Sequence, residues 1–264
     1  MKLGVIGCGK MGTALVEGAI RSGGVDAANV TGVDPYLAAR ENFARTTGAA
    51  VSESLSAVAG CEVVLLCTKP LDVRAALQAL TADGSPRLVI SIAAGITLAA
   101  LEEAASPATR VIRAMPNTPA LVGKGAAAFC LGTRATAEDA ASAKMLLGSV
   151  GLAVEVPERL MDAVTGLSGS GPAYVYLVIE ALADGGVRNG LARADSIRLA
   201  AQTVFGSAAM VLETGEHPAV LKDMVTSPGG TTIAGLAELE KLGLRSSLIE
   251  AVTAATRRAG ELGK

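Results

Sequence analysis

Residues 3–12 read LGVIGCGKMG, and this stretch decides the fold of the first half of the chain. The apolar run Leu3–Ile6 predicts a buried strand, and Gly7–Gly12 follows it with the spacing Gly-x-Gly-x-x-Gly. The first glycine permits a tight turn, the second lets backbone approach a pyrophosphate, and the third lets a helix pack on the strand. Met11 and Leu15 then begin an apolar helical face. Strand, glycine turn and helix in this order predict a dinucleotide site at the helix N-terminus.

Further strands alternate with helices as far as about Val156. The candidate strands are Asn29–Val33, Glu62–Leu66, Leu88–Ile92 and Arg110–Arg113. Repeated strand and helix units predict a doubly wound sheet, in which ligands bind at the carboxyl ends of the strands. We therefore predict a Rossmann-like α/β domain with a parallel-rich sheet over residues 1–157.

The pattern changes near Pro157, beyond which no convincing strand is found. Glycine, proline and serine breaks separate helical patterns at Gly171–Val187, Arg193–Thr214, His217–Val225, Thr231–Leu242 and Ser246–Leu262. Apolar residues cover more than one face of the second of these helices, which therefore needs a partner. We predict an all-α domain over residues 158–264 that forms a homodimer.

Composition argues against several classes of function. The net charge is −2 with both signs scattered, and aromatic residues make up 2%, so no basic surface or stacking platform for nucleic acid is expected. No apolar run is long enough to cross a bilayer. One histidine and four cysteines without CxxC spacing offer no zinc or iron site. We therefore expect no bound metal. Because no signal peptide is seen either, we expect a cytoplasmic protein.

Asp34 stands at the end of the second predicted strand. A carboxylate at this position can accept hydrogen bonds from an adenosine ribose diol and repels a 2′-phosphate. This favours NADH over NADPH. The alternative is a turn initiator before Pro35, and Arg40 could still reach a phosphate.

Two later turns follow predicted strands and belong to the same edge of the sheet. The backbone of Cys67-Thr68-Lys69-Pro70 could line the nicotinamide half of a cofactor, and Pro70 also suits the first position of a helix. Small residues at Ala93-Ala94-Gly95 leave room for a flat ring or serve only as a spacer.

The segment Thr226–Thr232, TSPGGTT, precedes a predicted helix. Free amides and neutral hydroxyls at a helix N-terminus suit a small carboxylate, whereas N-capping by Thr231 or Ser227 would explain one hydroxyl but hardly four. With one histidine, His217, no Ser/His/Asp set can be built. Reduction of an already activated substrate needs mainly alignment and groups that hold the substrate's charges.

The chain resembles pyrroline-5-carboxylate reductases over nearly its whole length. Besides Gly7–Gly12, the resemblance rests on KP at 69–70, AAG at 93–95, RAMPNTP at 113–119, DAVTGLSGSGPAY at 162–174, ADGGV at 183–187 and SPGGTT at 227–232. It implies reduction of 1-pyrroline-5-carboxylate to L-proline, the last step of proline biosynthesis. Hydride would pass from C4 of NAD(P)H to the ring C=N carbon.

The resemblance also implies residue roles. Thr232 would be the catalytic residue, bonding the imine or amine nitrogen, and Ser227 with the amides of Gly230 and Thr231 would hold the carboxylate beside Gly229. Related enzymes bind substrate at a dimer interface, facing a cofactor held in the Rossmann domain, and assemble five dimers into a decamer. The cofactor would be lined by Ile6, Gly7, Cys8, Gly9, Lys10, Met11, Gly12, Asp34, Ser54, Cys67, Thr68, Lys69, Pro70, Ala93, Ala94 and Gly95.

Three alternatives stay open at this point. A β-hydroxyacid dehydrogenase would need a catalytic lysine motif, and none is found in the helical half. A cofactor-binding sensor without catalysis would not need the site at Thr226–Thr232. A reductase of a larger cyclic imine would differ only in pocket shape. Met224 stands where some relatives carry asparagine, so one polar contact to the substrate is missing or supplied elsewhere.

Overall fold

The computed structural model describes residues 1–263. Its packing divides the chain into two compact units, Met1–Ser170 with Thr253–Lys264 and Gly171–Val252. This division reflects packing within the folded chain. The domain boundary expected after residue 157 stays a prediction.

Within the described residues, the first unit contains an eight-stranded sheet with the order β3-β2-β1-β4-β5-β6-β7-β8. Strands β1 to β6 pair in parallel, β7 is antiparallel to β6, and β8 is parallel to β7. This arrangement confirms the predicted parallel-rich α/β fold. The strands are β1 (Leu3–Ile6), β2 (Val30–Val33), β3 (Ala50–Ser52), β4 (Val63–Leu66), β5 (Arg87–Ser91), β6 (Thr109–Met115), β7 (Gly125–Leu131) and β8 (Gly151–Glu155).

All five predicted strands are present, with small shifts at their ends. The prediction at Leu88–Ile92 lies one residue late, and Arg110–Arg113 is the centre of a longer strand. Three strands were missed. Of these, β7 reads GAAAFCL and lacks the β-branched residues that mark strands, while β3 and β8 are the edge strands and expose most of their side chains.

The central strands are buried on both faces of the sheet. In β4, Val63 and Leu65 belong to one apolar cluster, whereas Val64 and Leu66 belong to the other. Side chains alternate between faces, so a continuous apolar run requires helices on both sides. These helices are α1 (Lys10–Arg21), α2 (Leu37–Thr47), α3 (Pro70–Thr81), α4 (Leu98–Ala104), α5 (Ala137–Gly148) and the short α6 (Met161–Val164).

The second unit is helical, and no strand occurs after Glu155 in the described part of the chain. Its helices agree with the predicted ones to within two residues at each end. The prediction ends one residue early for α7 and one late for α10, α9 is shorter at both ends, and α11 begins at Leu244 instead of Ser246. Among residues 1–263, no helix has the length and apolar character needed to cross a membrane. The helices are α7 (Gly171–Arg188), α8 (Arg193–Thr214), α9 (Pro218–Met224), α10 (Thr231–Lys241) and α11 (Leu244–Leu262), whose last turns belong to the first unit.

Candidate active site

The carboxyl ends of β1 and β4 form the natural ligand crevice of this sheet. The strand order reverses there, since β2 lies on one side of β1 and β4 on the other. Gly7–Gly12 follows β1, Cys67–Pro70 follows β4, and Ala93–Gly95 comes shortly after β5. Asp34 and Ser54 come after β2 and β3. The topology therefore brings all the predicted cofactor segments to one edge of the sheet.

The three glycines of the first turn lie in different surroundings. Gly7 has φ +100°, its amide donates to the Val33 carbonyl at 2.8 Å, and an added Cβ would lie 2.7 Å from the Cys67 carbonyl oxygen. At Gly12 a Cβ would collide with the Gly7 carbonyl oxygen. Gly9 precedes α1, faces open space, and leaves the helix without a side-chain cap. An open and uncapped helix N-terminus fits a pyrophosphate.

Asp34 is 8% exposed and holds the glycine turn in place. Its Oδ2 accepts a 2.9 Å hydrogen bond from the Cys8 amide. Its Oδ1 accepts a 2.9 Å bond from the Tyr36 amide, which is the turn-initiating role considered as the alternative. The carboxylate therefore links the turns after β1 and β2, a contact between residues 26 positions apart that the sequence does not indicate.

The turns after β2 and β3 carry further polar groups. Arg40, in α2, donates from Nη1 to the carbonyl oxygens of Asp34 at 2.8 Å and Pro35 at 3.0 Å. Its guanidinium is therefore already engaged by the backbone of the loop after β2. Ser54 caps a short 3₁₀ helix, and its hydroxyl lies 2.8 Å from that of Ser56.

The turn after β4 contains a buried hydroxyl without a partner. The Cys67 amide donates to the Ile6 carbonyl at 2.7 Å, which ties this turn to the end of β1. Thr68 Oγ1 is buried and makes no hydrogen bond with any described residue. Lys69 precedes α3 and Pro70 is its first residue, as the alternative interpretation of this turn expects. Buried hydroxyls normally make a hydrogen bond. At a ligand crevice, a bound molecule can supply the hydrogen bond that this hydroxyl lacks.

The two cysteines beside the crevice are not activated thiols. Burial raises the pKa of Cys67 to about 12, with a smaller contribution from Cys8. Burial also raises the pKa of Cys8 to about 12, and the negative charge of Asp34 adds to the rise. Both thiols are therefore protonated at neutral pH and do not act as nucleophiles.

The turn after β5 packs on the end of the last helix. Ala93 is buried and its amide donates to Ser91 Oγ at 3.4 Å. Gly95 has φ +77°, and an added Cβ would lie 3.5 Å from the carbonyl oxygen of Leu262. The positive φ explains the glycine at this position. The contact with the last turn of α11 could not be expected from the sequence.

Two residues of the RAMPNTP segment have structural roles that the sequence does not indicate. The buried Arg113 pairs with Glu158 at 3.2 Å and with Asp162 at 3.5 Å. Asn117 donates from Nδ2 to the Ser168 carbonyl at 3.0 Å and accepts from the Ala126 amide at 2.9 Å. These bonds fasten residues 158–168 to the end of the sheet.

In the second unit, the loop before α10 keeps most of its polar groups free. One hydroxyl, that of Thr226, donates to the Lys222 carbonyl at 2.7 Å. Gly230 precedes α10, and no side chain caps this helix. Within residues 1–263, the hydroxyls of Ser227, Thr231 and Thr232 make no hydrogen bond. The N-capping alternative for this loop is therefore wrong, because its hydroxyls are not used by the helix.

The single histidine has a local structural role. His217 precedes α9, and its Nδ1 accepts a 3.2 Å hydrogen bond from the Ala219 amide. This is the helix-start role expected for it.

Comparisons with known proteins agree with this architecture. A family model described as pyrroline-5-carboxylate reductase dimerisation matches residues 158–262, and one described as NADP oxidoreductase, coenzyme F420-dependent, matches residues 2–95. A pyrroline-5-carboxylate reductase of Methanosarcina acetivorans is 47% identical over 100% of this chain and 98% of its own length.

Solved structures give the same answer. A pyrroline-5-carboxylate reductase from Coxiella burnetii is 34% identical, with a TM-score of 0.94 over 100% of this chain and 98% of that one. A pyrroline carboxylate reductase from Plasmodium falciparum, solved with NADP bound, is 34% identical with a TM-score of 0.88 over the same shares of the two chains. The chain belongs to the pyrroline-5-carboxylate reductase family of oxidoreductases.

Proposed function

We propose that this protein reduces 1-pyrroline-5-carboxylate to L-proline with NAD(P)H. The observation that carries the proposal is the 47% identity to a pyrroline-5-carboxylate reductase over the whole chain. Two features of the geometry support it. One is the open N-terminus of α1 beside the glycine turn, and the other is the loop of free hydroxyls before α10.

The first unit would hold the cofactor. The amides at the start of α1, with Gly9 leaving room, bind the pyrophosphate. The turns after β4 and β5 line the nicotinamide half, where the unpaired hydroxyl of Thr68 is available. The remaining residues of the proposed lining are Ile6, Gly7, Cys8, Lys10, Met11, Gly12, Asp34, Ser54, Cys67, Lys69, Pro70, Ala93, Ala94 and Gly95. When bound, the reduced nicotinamide supplies the hydride.

The loop before α10 would hold the substrate. Ser227 and the amides of Gly230 and Thr231 bind its carboxylate, with Gly229 at φ +66° shaping the turn. Thr232 is the proposed catalytic residue, and its hydroxyl bonds the ring nitrogen. Such a bond aligns the C=N carbon for hydride transfer and holds the nitrogen as it becomes an amine.

The preference for NADH over NADPH is the finer part of the proposal. It rests on the Asp34 carboxylate at the end of β2, which would accept from a ribose diol and repel a 2′-phosphate. The related Plasmodium enzyme was solved with NADP. Since a member of the family binds NADP, membership of the family does not imply a preference for NADH. The proposed preference therefore rests on the charges of this chain.

We also propose a homodimer through the second domain, over residues 158–264, and a decamer of five dimers by resemblance to related enzymes. Within residues 171–252, large apolar side chains stand exposed on α7 and α8, including Leu177, Leu199 and Phe205. Exposed apolar area of this extent marks an association surface. A cytoplasmic location is proposed because all four cysteines are free thiols.

The test is oxidation of NADH, and separately of NADPH, followed by absorbance with 1-pyrroline-5-carboxylate present and then omitted. We expect oxidation only with the substrate, with proline as the product and a higher rate with NADH. A six-membered cyclic imine serves as the control for ring size. Absence of oxidation by a folded protein that still binds reduced nicotinamide would contradict the proposal and favour the sensor interpretation.

A further inference from the structure

The turns after β2 and β3 bring three charged side chains together. The Asp34 amide donates to the Ser52 carbonyl at 3.2 Å, and Val33 pairs with Ser52 across the two strands. Asp34 and Glu53 are therefore the next residues beyond the two paired positions. Arg40 Nη2 lies 3.7 Å from Glu53 Oε2, and its Nη1 is bonded to the Asp34 carbonyl.

Arg40 and Glu53 differ strongly in exposure. The Arg40 side chain is 14% exposed, whereas that of Glu53 is 78% exposed. Arg40 donates to two backbone carbonyls and faces the Glu53 carboxylate. These groups already compensate most of its positive charge. Arg40 also lowers the pKa of the Cys8 thiol, against the larger effects of burial and Asp34, so its charge acts on the glycine turn.

Two carboxylates and one guanidinium leave this cluster with surplus negative charge. An adenosine 2′-phosphate carries about two negative charges at neutral pH. It would need the one cation of the cluster, which Glu53 already engages. We propose that Glu53 is a specificity-determining residue that disfavours the 2′-phosphate by engaging Arg40.

This assignment rests on the proposed nucleotide site and adds to the role given to Asp34. The two acids differ in one respect. Asp34 also bonds the Cys8 amide, so its loss disturbs binding of any nucleotide. Glu53 is bonded to no part of the glycine turn, so its loss changes discrimination alone.

The experiment measures dissociation constants for NADH and NADPH without substrate, from the fluorescence of the nucleotide, since the chain has no tryptophan. Glu53→Gln should tighten NADPH about twofold to fivefold, the range expected for a partly exposed charge pair, and leave NADH unchanged. Because no turnover is needed, the result stands whether or not pyrroline-5-carboxylate is reduced. Glu103→Gln removes a carboxylate from another exposed pair, with Arg74, and should change neither constant.

A double-substitution cycle tests the route through Arg40. In the Arg40→Met background, Glu53→Gln should no longer tighten NADPH. An equal effect in both backgrounds would show direct repulsion and overturn the proposal, as would an unchanged NADPH constant in Glu53→Gln. If Arg40→Met does not fold, Glu53→Asp replaces it. This variant keeps the charge but withdraws it from Arg40, so it should give part of the NADPH gain, and no gain would overturn the proposal.

Discussion

The two units of the chain solve the problem of burial differently. In the first, strands such as β4 are fully buried and helices cover both faces of the sheet. In the second, described throughout residues 171–252, the buried residues are only Ala183, Ser196 and Ala200. The first unit therefore carries its own core, whereas the second leaves its apolar helices uncovered in the single chain. The difference supports the proposal that the helical part forms the association surface, while the first unit is stable enough by itself to hold a cofactor.

The largest expected effect concerns the core of the first unit. Leu65 in β4 is 0% exposed, so Leu65→Ala should lower the free energy of unfolding by about 2 to 5 kcal/mol. The loss should be the same at every protein concentration, because the core lies within one chain. Urea unfolding at two concentrations measures it. If the loss in free energy of unfolding disappears at the higher protein concentration, the stability of this unit also depends on association.

A second expectation is that turnover and cofactor binding depend on different residues. Thr232→Ala should reduce kcat about 100-fold, because it removes a hydroxyl proposed to bond the reacting nitrogen. The dissociation constant for NADH should stay unchanged, since the cofactor is assigned to the first unit. Thr232→Ser keeps the hydroxyl and is the matched control. Wild-type turnover in the alanine variant would remove Thr232 from the mechanism.

The third expectation concerns association. Phe205 in α8 is 52% exposed in the single chain, and Phe205→Asp should place a charge in the dimer interface. We expect the dissociation constant of the dimer to rise at least about tenfold, seen as monomer by sedimentation at micromolar concentration. Leu71→Asp alters a leucine in the first unit that is 95% exposed, and its sedimentation should match the wild type. Equal behaviour of both variants would contradict the proposed interface.

A smaller effect is expected at Asp34. Asp34→Ser should shift the ratio of the NADPH and NADH constants toward NADPH by about tenfold, because the charge is removed. It should also weaken NADH, since the Cys8 amide loses its acceptor. Asp34→Asn keeps an acceptor oxygen and should show the shift with less loss of NADH binding. An unchanged ratio would place the discrimination elsewhere.

The smallest effect is expected from thiol reagents. The pKa values of Cys8 and Cys67 are raised to about 12. Because pH 8 lies well below these pKa values, both thiols are protonated at that pH. Iodoacetamide at pH 8 should therefore leave nucleotide binding intact over hours, while the unfolded chain in urea reacts readily. Rapid modification of Cys8 or Cys67 in the native protein, located by mass spectrometry, would contradict the burial that raises these pKa values.

The sequence predicted helices and strands best where glycine or proline residues clearly mark their ends. The helices of the second half agree to within two residues, because Gly215, Pro218 and the Gly229-Gly230 pair interrupt them clearly. The missed strands β3 and β8 are exposed edges, and β7 is built from small residues, so neither alternation nor β-propensity marks them. Position in the sheet, not local preference, makes these segments strands.

The candidate site shows the same division. The glycine turn, the later turns and the hydroxyl loop were predicted, because each is a local pattern next to a strand or helix. The bond from the Cys8 amide to Asp34 and the pairing of Arg113 with Glu158 were not, since their partners are 26 and 45 positions apart. Pairing of strands in the sheet brings such distant residues together.

The sequence by itself determined the order of strands and helices, the glycine turn and its expected ligand, and the family, because these depend on spacing along the chain. Only the tertiary structure decided that Asp34 supports the glycine turn, that Arg40 faces Glu53, and that the hydroxyls of the α10 loop remain free. The physical reason is that charge pairing and unsatisfied donors depend on distances in space. Those distances exist only after the strands have paired.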